Sequence, residues 1–111
     1  MTLPKPPAHL SPDARRWWRG VVTAYELQPH QLPVLQAAAE AWDRKEQARE
    51  ALTRDGLTMT TRLGEVKAHP AVAIERDSRV AYLRAVRELA LDVSAPDSRP
   101  PALRGRYAGR P

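Results

Sequence analysis

The chain has 111 residues, with 18 Lys+Arg against 13 Asp+Glu, no Cys, no Phe and 11 Pro. That length fits one small domain, and the missing cysteine excludes a disulfide framework, a thiolate nucleophile and any thiolate-ligated zinc or iron–sulfur site. No apolar run approaches the roughly 20 residues that span a bilayer, and the first residues lack the apolar core of a secretory signal; the expectation is a cytoplasmic protein whose net charge of +5 favours a polyanionic partner.

Residues 1–10 hold Pro4, Pro6 and Pro7 and little to bury, so they read as an extended arm carrying Lys5. A helix then starts: Ser11 is a good N-cap, Pro12 suits the first helical position, and Asp13 favours the positive end of the helix dipole. Ala14, Trp17, Trp18, Val21, Val22 and Tyr25 recur at helical spacing as one apolar stripe, and Arg15, Arg16 and Arg19 lie off it, facing water or a partner.

Pro29 breaks the chain, and the pattern predicts a long second helix from His30 or Gln31 to Arg54. Its apolar face is Leu32, Leu35, Ala39 and Trp42, with Val34, Ala38, Ala41, Ala48 and Leu52 adjoining; beyond Trp42 the sequence is almost entirely polar. Glu40–Arg44 and Glu46–Arg49 or Glu50–Arg54 have the spacing of helix-surface ion pairs, each worth about 0.2–0.5 kcal/mol. Gly56 reads as the stop. Thr58, Thr60, Thr61 and Val66 then favour strands around a turn at Arg62–Glu65 containing Gly64, which predicts a short β-hairpin over 57–68 with Met59 used in its packing. Such a hairpin is marginal alone and needs the helices or a neighbouring subunit to pack on. His69-Pro70 opens a third helix over about 70–91, with an expected apolar stripe of Val72, Val80, Leu83, Val86 and Ala90, and Tyr82 and Leu89 alongside. Residues 93–111 have no packing period and read as a flexible basic tail.

The fold class predicted is mainly α: a three-helix domain over 11–92 with a long helical hairpin, a short β-hairpin between helices two and three, and flexible basic termini. The charge excess sits in those termini, from Lys5, Arg15, Arg16 and Arg19 at one end and Arg99, Arg104, Arg106 and Arg110 at the other. A bundle this small retains only a few kcal/mol of stability, about 3–5, unless something supplements its core. With disulfides and thiolate-bound metals excluded, self-association is the expected supplement, and a homo-oligomer is predicted.

The order of these features carries a resemblance. A helix with a Trp-Trp pair, a long helix, Gly56, a hairpin around Gly64, His69-Pro70 and a helix closing on Leu89-Ala90-Leu91 together resemble the small terminase subunits of tailed bacteriophages, specifically the family with a G…G…HP block before a helix ending in a Leu-Gly-Leu-like sequence. Here alanine stands in place of that glycine. The resemblance spans about residues 8–92. It implies a non-enzymatic, ring-forming protein of the host cytoplasm that binds double-stranded viral DNA and delivers it to the large terminase subunit, which holds the ATPase and nuclease.

For DNA contact the candidates are Lys5, Arg15, Arg16 and Arg19 with the tail arginines Arg99, Arg104, Arg106 and Arg110. Arg15 and Arg19 are four residues apart on a helix, where like charges repel and an anionic partner relieves the strain. Trp17 and Trp18 border the apolar stripe and are assigned to packing rather than to stacking on bases. His69 has no second histidine or cysteine at ligand spacing and is assigned to pinning a turn. No phosphate-cradling glycine loop with Lys-Ser/Thr, His-Glu-x-x-His zinc motif, Gly-x-Ser-x-Gly elbow or paired-aspartate cluster occurs, so no enzymatic activity and no cofactor are expected. Two rival readings are a small helix-turn-helix-type transcription regulator, poorly served by an acidic-leaning long second helix, and a scaffold whose basic ends serve solubility.

Overall fold

Ser11 fixes where the first helix begins. Its Oγ accepts the Ala14 N–H at 3.1 Å, Pro12 takes the first helical position, and helix α1 runs Pro12–Ala24. The computed structural model describes residues 2–91. A 3₁₀ turn, Pro29–Gln31, leads into α2, Leu32–Asp55, so the expected start of the second helix falls on the tighter turn and the α-helix proper begins at Leu32. Gly56 ends it at φ 84°, its N–H donating to the Leu52 carbonyl at 2.8 Å. The space around it is open, so backbone conformation alone favours glycine there.

The predicted hairpin is present: β1, Thr58–Thr60, pairs antiparallel with β2, Val66–Ala68, in the register Thr58↔Ala68, Met59↔Lys67, Thr60↔Val66. Gly64 in its turn has φ 86°. Helix α3, Pro70–Leu89, is capped by His69 and closes on Ala90 in the left-handed region at φ 57°. The Leu91 and Ala90 N–H groups both turn back to the Val86 carbonyl, which satisfies the helix end.

Helix α2 is the spine, about 36 Å long at 1.5 Å per residue for its 24 residues. Helix α3 packs along it as the second arm of the helical hairpin, and α1 packs on it as well. The core is Leu10, Ala14, Trp18, Val21, Val22, Leu35, Ala39 and Leu89, with Trp17, Leu27, Leu32, Val34, Trp42 and Leu91 packed against it. All of these belong to the proximal end, where α1, the start of α2 and the end of α3 meet. In the distal half of the helical hairpin the buried residues are Ala48, Ala71 and Ser78.

Two expectations are corrected, and a third, the hairpin's need for the helices or a neighbouring subunit to pack on, is narrowed. Val80 and Leu83, placed on the inward stripe of α3, are 38% and 54% exposed. The inward face carries Ala71 and Ser78 instead, where α3 comes close to an alanine-lined α2 and small residues fit, together with the expected Tyr82 and Leu89. Residues 2–10 are irregular but tied down: Trp18 Nε1 donates to the Pro4 carbonyl at 2.9 Å, His9 Nε2 meets Glu40 at 2.7 Å, and Leu10 is buried. The hairpin does not bury itself on the helices. Both strands are exposed throughout, with Leu57 66%, Met59 46% and Val66 69% accessible.

Candidate nucleic-acid interface

The chemistry a DNA surface needs is cationic charge that is not already neutralised and is held in fixed positions. Helix α1 supplies both. Ser11 is clamped to α2 by Asp43, whose carboxylate accepts the Ser11 N–H at 2.8 Å and its Oγ–H as well. The cap that starts α1 is thus also the joint that fixes α1 on α2. At the far end, Tyr25 Oη donates to the Leu91 carbonyl at 2.9 Å. Between the two, Trp17 packs on Tyr82 with ring centroids 5.7 Å apart, and Trp42 on the same ring at 5.3 Å. This engages Trp17 in a three-helix aromatic contact and leaves Trp18 buried against the arm, in accord with a packing role for both. Burial pushes the Tyr82 phenol up from its ordinary pKa.

The candidate cations differ in what faces them. Arg16 reaches Asp13 at 3.0 Å, an exposed pair one helical turn apart. Among the described residues no carboxylate lies within ion-pair distance of Lys5, Arg15 or Arg19. Arg19 is exposed and Arg15 half-buried. The hydrogen bond from Trp18 to the Pro4 carbonyl ties the arm to α1 at the residue before Lys5. Arg99, Arg104, Arg106 and Arg110 lie outside the described residues.

Two further cations belong with this end of the molecule. Arg84 and Arg87 are exposed on the outward face of α3, one turn apart, without an ion-pair partner among the described residues. Their i, i+3 spacing is the available sequence signal. It is obscured because the expected stripe of α3 is rotated away from the true inward face.

The other ion pairs are structural. Of the three expected on α2, Glu46–Arg49 forms at 3.3 Å, with Lys45 as a second partner of Glu46. Glu40 instead receives Gln36 and His9, which together hold its carboxyl below the usual range. Lys45 also stands 4.0 Å over the Trp42 ring, a cation–π contact that covers the aromatic cluster.

His69 is a structural pin, as expected. Its Nδ1 accepts the Ala71 N–H at 2.9 Å, so Nε2 carries the proton and faces Asp55 Oδ2 at 2.9 Å. Its backbone N–H donates to the Leu57 carbonyl at 2.8 Å. One residue therefore ties the end of α2, the base of the hairpin and the start of α3. Arg54 first, and His69 second, hold the Asp55 carboxyl down at about 2.

Across residues 14–99 the chain matches a family model described as phage terminase, small subunit. A search of curated proteins and a search of solved structures each return no match.

Proposed function

This chain belongs to the phage terminase small-subunit family, and from that membership we propose that it assembles into a ring of identical copies, binds double-stranded viral DNA through the cations of α1 and the arm, and delivers that DNA to the large terminase subunit. It works in the host cytoplasm and carries out no chemistry of its own: the large subunit supplies ATP hydrolysis and cleavage. No helix of the described residues is long and apolar enough to cross a membrane.

The observation that carries the reading is the set Lys5, Arg15 and Arg19, positively charged side chains without a carboxylate among the described residues to neutralise them. Each such cation releases counterions on meeting a phosphate. Weak contacts of this kind multiply when several copies engage one duplex, because every contact after the first is intramolecular. A helix-turn-helix mode is less well supported. The helix after the first turn, α2, is the long spine on which α1 and α3 both pack, and its exposed distal half carries Glu50 and Asp55 among its arginines, which suits a groove lined by phosphate poorly.

Fluorescence anisotropy of a double-stranded fragment tests this across a salt series. The slope of log affinity against log salt changes by about 0.9 for each phosphate that a cation neutralises, so the Arg15→Ala, Arg19→Ala double variant flattens it by nearly 2 for each engaged copy. Arg16→Ala flattens it less, because Asp13 already neutralises Arg16. Affinity independent of salt sinks the proposal, and native mass spectrometry with and without the fragment tests the ring.

A further inference from the structure

The hairpin is the most exposed ordered part of the chain, and its backbone pattern is informative. The Thr61 N–H bonds to the Glu65 carbonyl and the His69 N–H to the Leu57 carbonyl. With the register Met59↔Lys67, the odd-numbered residues 57, 59, 61, 65, 67 and 69 therefore face each other across the ladder. The even-numbered residues of β2, Val66 and Ala68, turn their N–H and C=O groups outward. They form a bare strand edge, the kind of edge that pairs with another chain. Val66 is 69% exposed, and the Glu65 and Lys67 side chains flanking it, 3.9 Å apart in a loose ion pair on the other face of the strand, are 62% and 63% exposed and free to exchange that pair for the same pair across a contact.

We propose that a second copy of this chain pairs with this one along the outer edge of β2, antiparallel and centred on Val66. The inference rests on the self-association proposed above and names its surface. Charge fixes the register. With Val66 opposite the Val66 of the second copy, Glu65 of each chain stands opposite Lys67 of the other, in the non-hydrogen-bonded positions where side chains approach most closely. The two nearest registers that keep the same hydrogen-bonding groups facing are each shifted by two residues. One sets Lys67 against Lys67 and the other Glu65 against Glu65, both like-charge pairs. A slip of one residue turns the outward N–H and C=O groups out of alignment. The other free edge, at Thr58 and Thr60 of β1, bears no charge that could select a partner or a register.

The product is a four-stranded sheet in the order β1, β2, β2, β1, with Thr60 and Val66 of both copies on one face. Pairing converts a two-stranded hairpin, marginal in water, into a sheet of the size that is independently stable. The contact is isologous, so it joins copies two at a time and consumes the β2 edges; ring closure uses a different surface.

Light scattering on the full chain at several micromolar concentrations tests it, with wild type beside Glu65→Lys, Lys67→Glu, the double swap E65K/K67E, and Val66→Pro. Each single reversal places two like-charge pairs in the contact and raises its dissociation constant roughly tenfold or more; the double swap restores opposite charges and returns it to within about threefold of wild type. Val66→Pro removes an outward N–H that the hairpin itself does not use, so the fold by circular dichroism is retained while the pairing is abolished. A double swap as impaired as the singles, or a folded Val66→Pro variant that associates like wild type, overturns the β2 contact and leaves self-association standing. A wild type that is monomeric throughout overturns the self-association reading itself.

Discussion

The joint between Ser11 and Asp43 decides where α1 lies, and its strength can be read from its geometry. The Asp43 carboxylate accepts two hydrogen bonds from Ser11, and the same Ser11 Oγ accepts the Ala14 N–H. Hydrogen bonds to charged groups contribute about 1.5–3 kcal/mol each, and this site is only part-buried, so Asp43→Ala is expected to cost about 2 kcal/mol. Ser11→Ala removes the N-cap, at about 1–2 kcal/mol. The Ser11 Oγ to Asp43 bond is removed by either change, so the double variant costs about 1 kcal/mol less than the sum. Asp43→Asn rescues in part: its Oδ1 can accept the Ser11 N–H while its NH₂ donates to Ser11 Oγ, but neither bond keeps the strength that the carboxylate charge gives. Urea denaturation at one fixed protomer concentration measures all four through the midpoint at constant slope. In thermal terms Asp43→Ala lowers the midpoint by about 8–16 °C for a domain of this size. Costs that add to within about 0.3–0.5 kcal/mol would refute a shared joint and make the cap and the tertiary contact independent.

Ala90 occupies a left-handed position with φ 57°, so Ala90→Gly is expected to stabilise by about 0.5–1 kcal/mol, seen as a higher urea midpoint; an unchanged or lower midpoint contradicts the strain. Leu35 is fully buried at the α1–α2 contact, and Leu35→Ala costs about 2–5 kcal/mol, enough to unfold a large fraction of the protomer by near-ultraviolet circular dichroism. Asp55 has its pKa depressed from 3.8 to about 2; its contribution to stability is complete above about pH 4 and is lost as pH falls toward 2. Asp55→Asn therefore flattens the acid limb of a midpoint-against-pH curve in that window and leaves the curve near neutrality parallel to wild type.

The parts of this fold that were legible in the sequence are those with local causes. Ser11-Pro12 starts a helix by satisfying its first donors, Gly56 and Gly64 take positive φ, and His69-Pro70 restarts a helix, each within a few residues. The phase of α3 was not legible in this way. Val80 and Leu83 outrank Ala71 and Ser78 in hydrophobicity, but α3 approaches α2 through the small residues, and that preference is set by a separate helix that ends at Asp55, before the hairpin. The docking of the arm was equally hidden, because Trp18 recognises the backbone carbonyl of Pro4, a group that every residue carries. The same limit applied to the interface. Arg16 could be paired with Asp13 from spacing alone, whereas the anchoring of the arm beside Lys5 depends on that carbonyl, and the exposure of Arg84 and Arg87 depends on the phase of α3.

That outward phase of α3 explains how the molecule divides its work. At the proximal end Trp18, Leu35 and Leu89 are buried together, each removing enough apolar surface for about 1.5–3 kcal/mol. Among the described residues of the distal end only Ala48, Ala71 and Ser78 are buried, whose small side chains contribute far less, while Leu57, Met59, Leu63, Val66 and Ile74 stay accessible. The proximal end can therefore hold its shape within one chain, which suits the proposed role of presenting fixed cations to phosphate. The distal end gains most from a neighbour. On the proposed assignments DNA binding and β2 pairing are set apart along the spine: Asp43, which anchors the start of α1, lies 12 residues, about 18 Å, before the Asp55 end of α2 that leads into the hairpin, about two Debye lengths at physiological salt. Copies can then join at the hairpin without placing the cations of one DNA surface against those of another, so assembly adds phosphate contacts without adding repulsion between them.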